Sequence, residues 1–185
     1  MFATDCSHPT DTRQRKDTQE QLRYAITPCP LGLLLMAASD RGLCALLFAD
    51  DEQALIDELQ ARFPAGELQR DQAGLQDWLD AVLTQLQNPS RRADLPLDLR
   101  GSAFQQRVWQ TLQTIEPGKT MRYGELAATL GSHARAVARA CASNPIGLLV
   151  PCHRVVGADQ AVTGYRWGVA RKSALLAAER KSAGA

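Results

Sequence analysis

The chain has 185 residues, enough for one large domain or two small ones, each with its own core. Apolar residues make up 45% and charged residues 22%, the balance of a soluble globular protein. No apolar run approaches the ~20 residues that a membrane helix needs. The net charge of +1 hides an asymmetry: residues 1–95 hold 9 Lys/Arg against 15 Asp/Glu, whereas residues 96–185 hold 12 against 5. Only the second half is therefore suited to meet a polyanion.

Residues 1–20 read as a loose polar tail. They lack the apolar centre of a secretory signal, which points to the cytoplasm. Leu22 to Ile26 alternates as a strand does, and Leu31–Ala38 and Leu43–Phe48 are short apolar runs separated by the turn Ser39-Asp40-Arg41-Gly42. Together they predict a small antiparallel meander. Asp50-Asp51-Glu52 opens a helix carrying Leu55, Ile56, Leu59 and Phe63. A second helix places Leu75, Trp78, Leu79, Val82, Leu83 and Leu86 on one face, up to Asn88-Pro89. Residues 89–96, polar with two prolines, read as a linker. The expected organisation is a tail over 1–20, an α/β domain over 21–95 and a basic domain over 96–185.

The basic half is expected to be mainly helical. Ser102 caps a helix with Phe104, Val108, Trp109 and Leu112. Short helices at Tyr123–Leu130 and Ala134–Cys141 flank Gly131-Ser132, the pattern of a helix-turn-helix unit. Arg135 and Arg139 lie four apart on the second of these. Ile146–Val150 reads as a short strand, followed by Pro151-Cys152-His153-Arg154, a Gly-rich stretch and a terminal helix from about Ala170 to Lys181.

The five cysteines, Cys6, Cys29, Cys44, Cys141 and Cys152, are odd in number and irregularly spaced, as reduced thiols are. Cys6, His8, Cys29 and Cys44 fit no tight zinc spacing, so no metal site is expected. Cys152 is the candidate nucleophile. A free thiol, with a pKa of about 8.5, needs a base or a positive neighbour. His153 is adjacent, and adjacent side chains on a strand point to opposite faces, so contact requires a turn or a bridging water. A carboxylate should hold the imidazole. Asp98, Glu116, Glu125, Asp159 and Glu179 are the candidates, and Glu179 follows Leu175, Leu176 and Ala178 on an apolar helix face.

The segment Val150-Pro151-Cys152-His153-Arg154-Val155-Val156 resembles the active-site signature of the O6-alkylguanine-DNA alkyltransferases. The likeness runs through Gly164-Tyr165-Arg166-Trp167-Gly168, Lys172 and Leu175–Glu179. It runs back through Phe104–Trp109, Tyr123–Ala127 and Ala142–Pro145, and so covers residues 97–181. Residues 21–63 are more weakly similar to the alkyltransferase half of the bacterial adaptive-response regulator. The resemblance implies an α+β protein, with a small ribonuclease H-like antiparallel sheet and helices, then a mainly helical winged-helix/helix-turn-helix domain.

It further implies direct-reversal repair by a single-turnover methyltransferase. A methyl or other alkyl group passes from O6-methylguanine, or from O4-methylthymine, to Cys152. His153 acts as base through a water, Glu179 orients it and Asn144 braces the nearby turn. Tyr123 meets the target base, and Arg135 fills the gap left by a flipped nucleotide. Ala134 and Arg139 join Arg135 and Tyr123 at DNA, with the helix in the minor groove of duplex DNA. Cys141, Val155, Tyr165, Arg166 and Trp167 form the pocket, and Trp167 is expected to narrow it against bulky alkyl groups. The implied protein is a monomer and needs neither metal nor cofactor. Two departures stand out: Gly131 to Arg135 is two residues shorter than the family pattern, and His133 lies in that turn as a possible phosphate contact. The alternative reading is a non-catalytic helix-turn-helix damage sensor or regulator, which the presence of Cys152 disfavours.

Overall fold

The structure, a computed structural model, describes residues 20–184. All of the expected tail except Glu20 lies outside the described residues, and Cys6 and His8 with it. Three strands form the expected meander: β1 (Gln21–Cys29), β2 (Gly32–Ser39) and β3 (Gly42–Ala49), paired antiparallel in sequence order. Leu34 to Ala38 in β2 and Leu43 to Phe48 in β3 are almost wholly excluded from solvent, which accounts for their continuous apolar runs. Helix α1 (Glu52–Arg62) begins at Asp51, whose carboxylate accepts from the Ala54 N–H at 2.8 Å. A strand that the sequence did not announce follows. β4 (Glu67–Arg70) pairs parallel to β1 at the sheet edge, giving the order β3-β2-β1-β4. Helix α2 (Gln76–Gln87) buries Leu79, Val82 and Leu86.

The helical half opens with α3 (Ala103–Gln113). Ser102 accepts from the Gln105 N–H, and the Gln105 side chain accepts from the Ser102 N–H, closing a capping box. A two-residue strand β5 (Met121–Arg122) leads into α4 (Tyr123–Thr129), and α5 (Ala134–Ala142) follows. Between them Gly131 adopts φ +60°, as a residue just past a helix end often does, and the Ser132 N–H returns to the Ala127 carbonyl at 2.9 Å. His133 is the N-cap of α5, its Nδ1 accepting from the Ala136 N–H at 3.2 Å. The short turn is therefore compact and self-capped, and His133 is engaged within it. The Trp109 indole donates to the Ala140 carbonyl at 2.8 Å and locks α3 to α5. Helix α6 (Val169–Ala183) closes the chain.

The halves meet along the free edge of β3. Leu43 exchanges backbone hydrogen bonds with Pro96 and Asp98, and Leu46 with Pro145 and Gly147. These contacts cover an edge strand that would otherwise be exposed, and they seat the chain just ahead of Cys152 on the sheet. The expected strand at Ile146–Val150 is corrected here: only the bridge Leu46–Ile146 forms. Gly147 lies where a Cβ would press on the Trp167 ring at 2.8 Å, and Leu148 turns to φ +67°. That left-handed conformation breaks any extended run.

Candidate active site

Cys152 opens a 3-10 turn, Cys152–Arg154, followed at once by β6 (Val155–Val156). β6 pairs parallel with β5, Met121 with Val155 and Arg122 with Val156. This small pairing sets Tyr123, the first residue of α4, beside the nucleophile's turn. A cavity of 270 Å³ is lined by Tyr123, Ala138, Cys141, Ala142, Cys152, Gly164, Tyr165 and Arg166. Helix α5 forms one wall and the loop before α6 another.

The thiol is buried, and Asn144 holds it. Its Nδ2 donates to Cys152 Sγ at 3.2 Å and to the Val150 carbonyl at 2.8 Å, while its Oδ1 accepts from the Ile146 N–H at 3.0 Å. All three contacts of this fully buried amide thus tie the end of α5 to the segment carrying Cys152. Burial pushes the Cys152 thiol up to about 11, and the Asn144 N–H and the Lys172 ammonium pull the other way. The resting thiol is protonated at neutral pH and must lose its proton to react.

His153 and Glu179 stand behind it. His153 Nε2 lies 2.8 Å from Glu179 Oε1, with both side chains buried. An acceptor-only carboxylate at Nε2 places the imidazole proton there and leaves Nδ1 as the lone-pair nitrogen. Nδ1 has no hydrogen-bond partner among the described residues. Burial lowers the His153 pKa from its usual 6.5, and Glu179 opposes that fall. The ring is neutral near pH 7, as a base must be. Glu179 would be raised by burial, yet hydrogen bonds from His153 and Arg154 draw it down to about 2. Arg154 Nε and Nη2 donate to it at 2.7–3.1 Å, and the Gly118 N–H donates to Oε2 at 3.1 Å. Gly118 sits at φ +78°, a conformation that suits glycine.

Two buried cations carry roles that the sequence reading did not assign. Arg154 supports Glu179, and its Nη1 also donates to the Ile115 carbonyl. Lys172 Nζ donates to the carbonyls of Val155, Thr163 and Gly164 at 2.6, 2.7 and 3.2 Å, which uses all three of its protons. It also lies 5.7 Å from the centre of the Tyr123 ring. Lys172 thereby stitches the cavity loop to β6 and sets a positive charge near Cys152. A signal existed in the sequence: positions 172, 175, 176 and 179 share one helical face, and all are buried.

Of the residues singled out by the resemblance, Tyr123, Cys141, Tyr165 and Arg166 line the cavity. Burial lifts the Tyr123 phenol to about 12 and the Cys141 thiol higher still. Val155 and Trp167 are corrections, since neither lines this cavity. Val155 is fully buried in β6, its carbonyl taken by Lys172 and its N–H bonded to the Cys152 carbonyl. Trp167 stands one layer back, edge-on to Tyr165 at 5.2 Å and to Phe48 at 5.9 Å. It props the Tyr165 ring instead of narrowing the cavity itself. On α5, Val137, Ala140 and Cys141 face inward, while Ala134, Arg135 and Arg139 are exposed. Of the other candidate carboxylates, Asp98 is engaged with Ser39, Arg41 and Arg100, and Glu125 with Arg122. Among the described residues no group of three or more His, Cys, Asp or Glu side chains is placed to hold a metal.

Fold and site define a class: a helix-turn-helix unit docked on a small mixed sheet, with a buried cysteine backed by a His–Glu pair. Known proteins share this plan. Residues 22–99 match the ribonuclease-like domain of 6-O-methylguanine DNA methyltransferase, and residues 103–181 match its DNA binding domain. The "Methylated-DNA--protein-cysteine methyltransferase" of Mycolicibacterium paratuberculosis is 41% identical, over 86% of this chain and 93% of its own. The Escherichia coli "Bifunctional transcriptional activator/DNA repair enzyme Ada" is 46% identical over 87% of this chain but 46% of its own length. This chain spans about half the length of that protein and of the similar Salmonella typhimurium regulatory protein. The crystal structure of Mycobacterium tuberculosis OGT in complex with DNA superposes with a TM-score of 0.68, at 37% identity, covering 86% of this chain and 94% of that one. The chain belongs to the methylated-DNA–protein-cysteine methyltransferase family.

Proposed function

We propose that this protein reverses alkylation of DNA by taking a methyl group from O6-methylguanine onto Cys152, once per molecule. The observation that carries the reading is the pairing of a cavity-lining thiol with a buried, neutral His153 whose Glu179 partner leaves Nδ1 free to accept a proton. The thiol proton passes to Nδ1, through a water where the two groups do not meet directly. The thiolate attacks the alkyl carbon, a C–S bond forms and the C–O6 bond breaks, with its electrons leaving on guanine. The Tyr123 phenol, kept protonated by burial, donates a proton to the departing base, and it regains one from solvent as the His153 imidazolium gives up the proton taken from the thiol. Products are guanine and an S-alkyl cysteine, and the thioether's stability ends the cycle.

The reactive atom of a paired guanine lies inside the duplex, so the base must be turned out into the cavity. In this reading Arg135 fills the gap and, with Arg139 and Ala134, meets the minor groove of duplex DNA, and the exposure of all three supports it. Small Ala134 and Ala138 let α5 lie close. The division into a sheet domain and an alkyl-transfer domain near residue 96, action as a monomer and a cytoplasmic setting belong to the same proposal. No helix among the described residues is long and apolar enough to cross a membrane.

The test is transfer from duplex DNA carrying methyl-labelled O6-methylguanine. The protein should gain about one equivalent of label and then stop, and Cys152→Ala should gain none while still binding DNA. Turnover beyond one equivalent, or full labelling of Cys152→Ala, overturns the reading.

A further inference from the structure

We propose that Glu58, on α1 in the sheet half, is a positioning residue for the cavity beside Cys152, acting through Arg166. The proposal rests on the reading that this cavity receives the alkylated base. Arg166 lines the cavity, yet its side chain is 39% exposed and long enough to adopt many rotamers. What holds it is a carboxylate 108 positions earlier in the chain: Arg166 Nε donates to Glu58 Oε1 at 2.7 Å. Its Nη1 also reaches the Ala142 carbonyl at 3.5 Å, at the end of α5. The same Glu58 oxygen accepts from Arg62 Nε and Nη2 at 3.2 and 3.1 Å, and Arg62 Nη2 reaches the carbonyl of Asn144 at 3.5 Å.

One carboxylate oxygen therefore gathers two guanidinium groups at the junction of α1, the end of α5 and the cavity loop. The two cations oppose each other: burial and then Arg166 push the Arg62 pKa down, and Glu58 opposes that fall. Remove the carboxylate and the pair repel across a partly buried gap. Arg166 is then released from its place on the cavity wall.

The consequence falls on Tyr165. On one side of it, the Gly164 carbonyl is fixed from inside by Lys172. On the other, Arg166 is fixed from outside by Glu58. The Tyr165 ring, whose enclosed hydroxyl has no partner among the described residues, is thus clamped from both neighbours within the cavity. Glu58 supplies the outer clamp, and through it the sheet half helps to set the shape that the base must fit. A partly exposed ion pair contributes little to folding stability, so its effect should be read in the transfer rate.

The test is a cycle of Glu58→Gln, Arg166→Gln and the double variant. Each is assayed with methyl-labelled duplex DNA and with free labelled O6-methylguanine. Each single variant should slow transfer about fivefold on both substrates, and the double should be no slower than the slower single. Three results overturn the proposal: singles as fast as wild type, effects that multiply in the double, or a defect on duplex alone, which marks Arg166 as a DNA contact. Wild type that takes up no label from duplex DNA overturns the function on which the proposal rests. Wild type that reacts while Glu58→Gln reacts equally fast overturns this proposal alone.

Discussion

Replacing Glu179 with Gln removes the group on which His153 and Arg154 both depend. Glu179 accepts from His153, from Arg154 through two nitrogens and from the Gly118 N–H, all with little solvent access. These contacts draw its pKa from 4.5 to about 2. At ~1.4 kcal/mol per pKa unit, that corresponds to roughly 3–4 kcal/mol of stability at neutral pH. The figure agrees with the ~3–5 kcal/mol cost of stripping one partner from a buried ion pair, here leaving Arg154 uncompensated. The sign follows from the depressed carboxylate: its contribution is full above about 4.5 and is lost as pH falls toward 2. Urea unfolding should show Glu179→Gln about 3–4 kcal/mol less stable than wild type near neutral pH, with the gap closing in acid. Because Glu179 also holds up the His153 pKa, the closing of the gap is read below about 4.5, where the carboxylate itself titrates. The amide can also donate to Nε2, which moves the ring proton to Nδ1 and removes the base. Alkyl transfer should then fall by about 10²–10⁴-fold. A gap under about 1 kcal/mol, or one unchanged in acid, would refute the reasoning.

Three further substitutions separate the parts of the site. Asn144→Ala leaves the Ile146 N–H unpaired in the core, at about 1–3 kcal/mol, and takes one of two donors from the Val150 carbonyl, which keeps the Cys152 N–H. Its melting temperature should fall by about 5–10 °C, and a smaller change in calorimetry would contradict the bracing role. Lys172→Met removes the positive charge that helps the Cys152 thiol ionise, so the pH profile of iodoacetamide alkylation should move to higher pH. A profile that stays in place would show that the charge does not reach the thiol. Arg135→Ala changes an exposed side chain and should leave stability within about 0.5 kcal/mol of wild type. It should weaken duplex-dependent transfer while sparing transfer from the free base. Equal loss on both substrates would count against its place at DNA.

Much of the site was legible because it is written in local pattern. Cys152, His153 and the preceding proline are contiguous, and Glu179 shares an apolar helix face with Leu175 and Leu176. Ser102 announced the start of α3 as a capping residue, and the structure adds Gln105 as its reciprocal partner. What stayed hidden depends on contacts between distant segments. β4 has one partly buried residue in four and exists because β1 offers it a parallel edge. Ile146–Val150 is apolar enough for a strand, but the bend at Leu148 limits it to a single bridge with β3. Arg154 looks like a surface cation in sequence and is buried only because Glu179 and the Ile115 carbonyl converge on it. The contact between Glu58 and Arg166 spans 108 positions, and no periodicity in the chain foretells it.

Two thiols line the same cavity, and the proposed transfer needs only one of them. Cys152 has the Asn144 hydrogen bond and the Lys172 charge to favour its thiolate, whereas burial raises Cys141 further and Lys172 alone opposes that rise among the described residues. Peptide mapping by mass spectrometry after reaction with O6-methylguanine duplex DNA decides between them. The added methyl group should be on Cys152, with Cys141 unmodified. A methyl group found on Cys141, or on no cysteine at all, would contradict the proposed transfer.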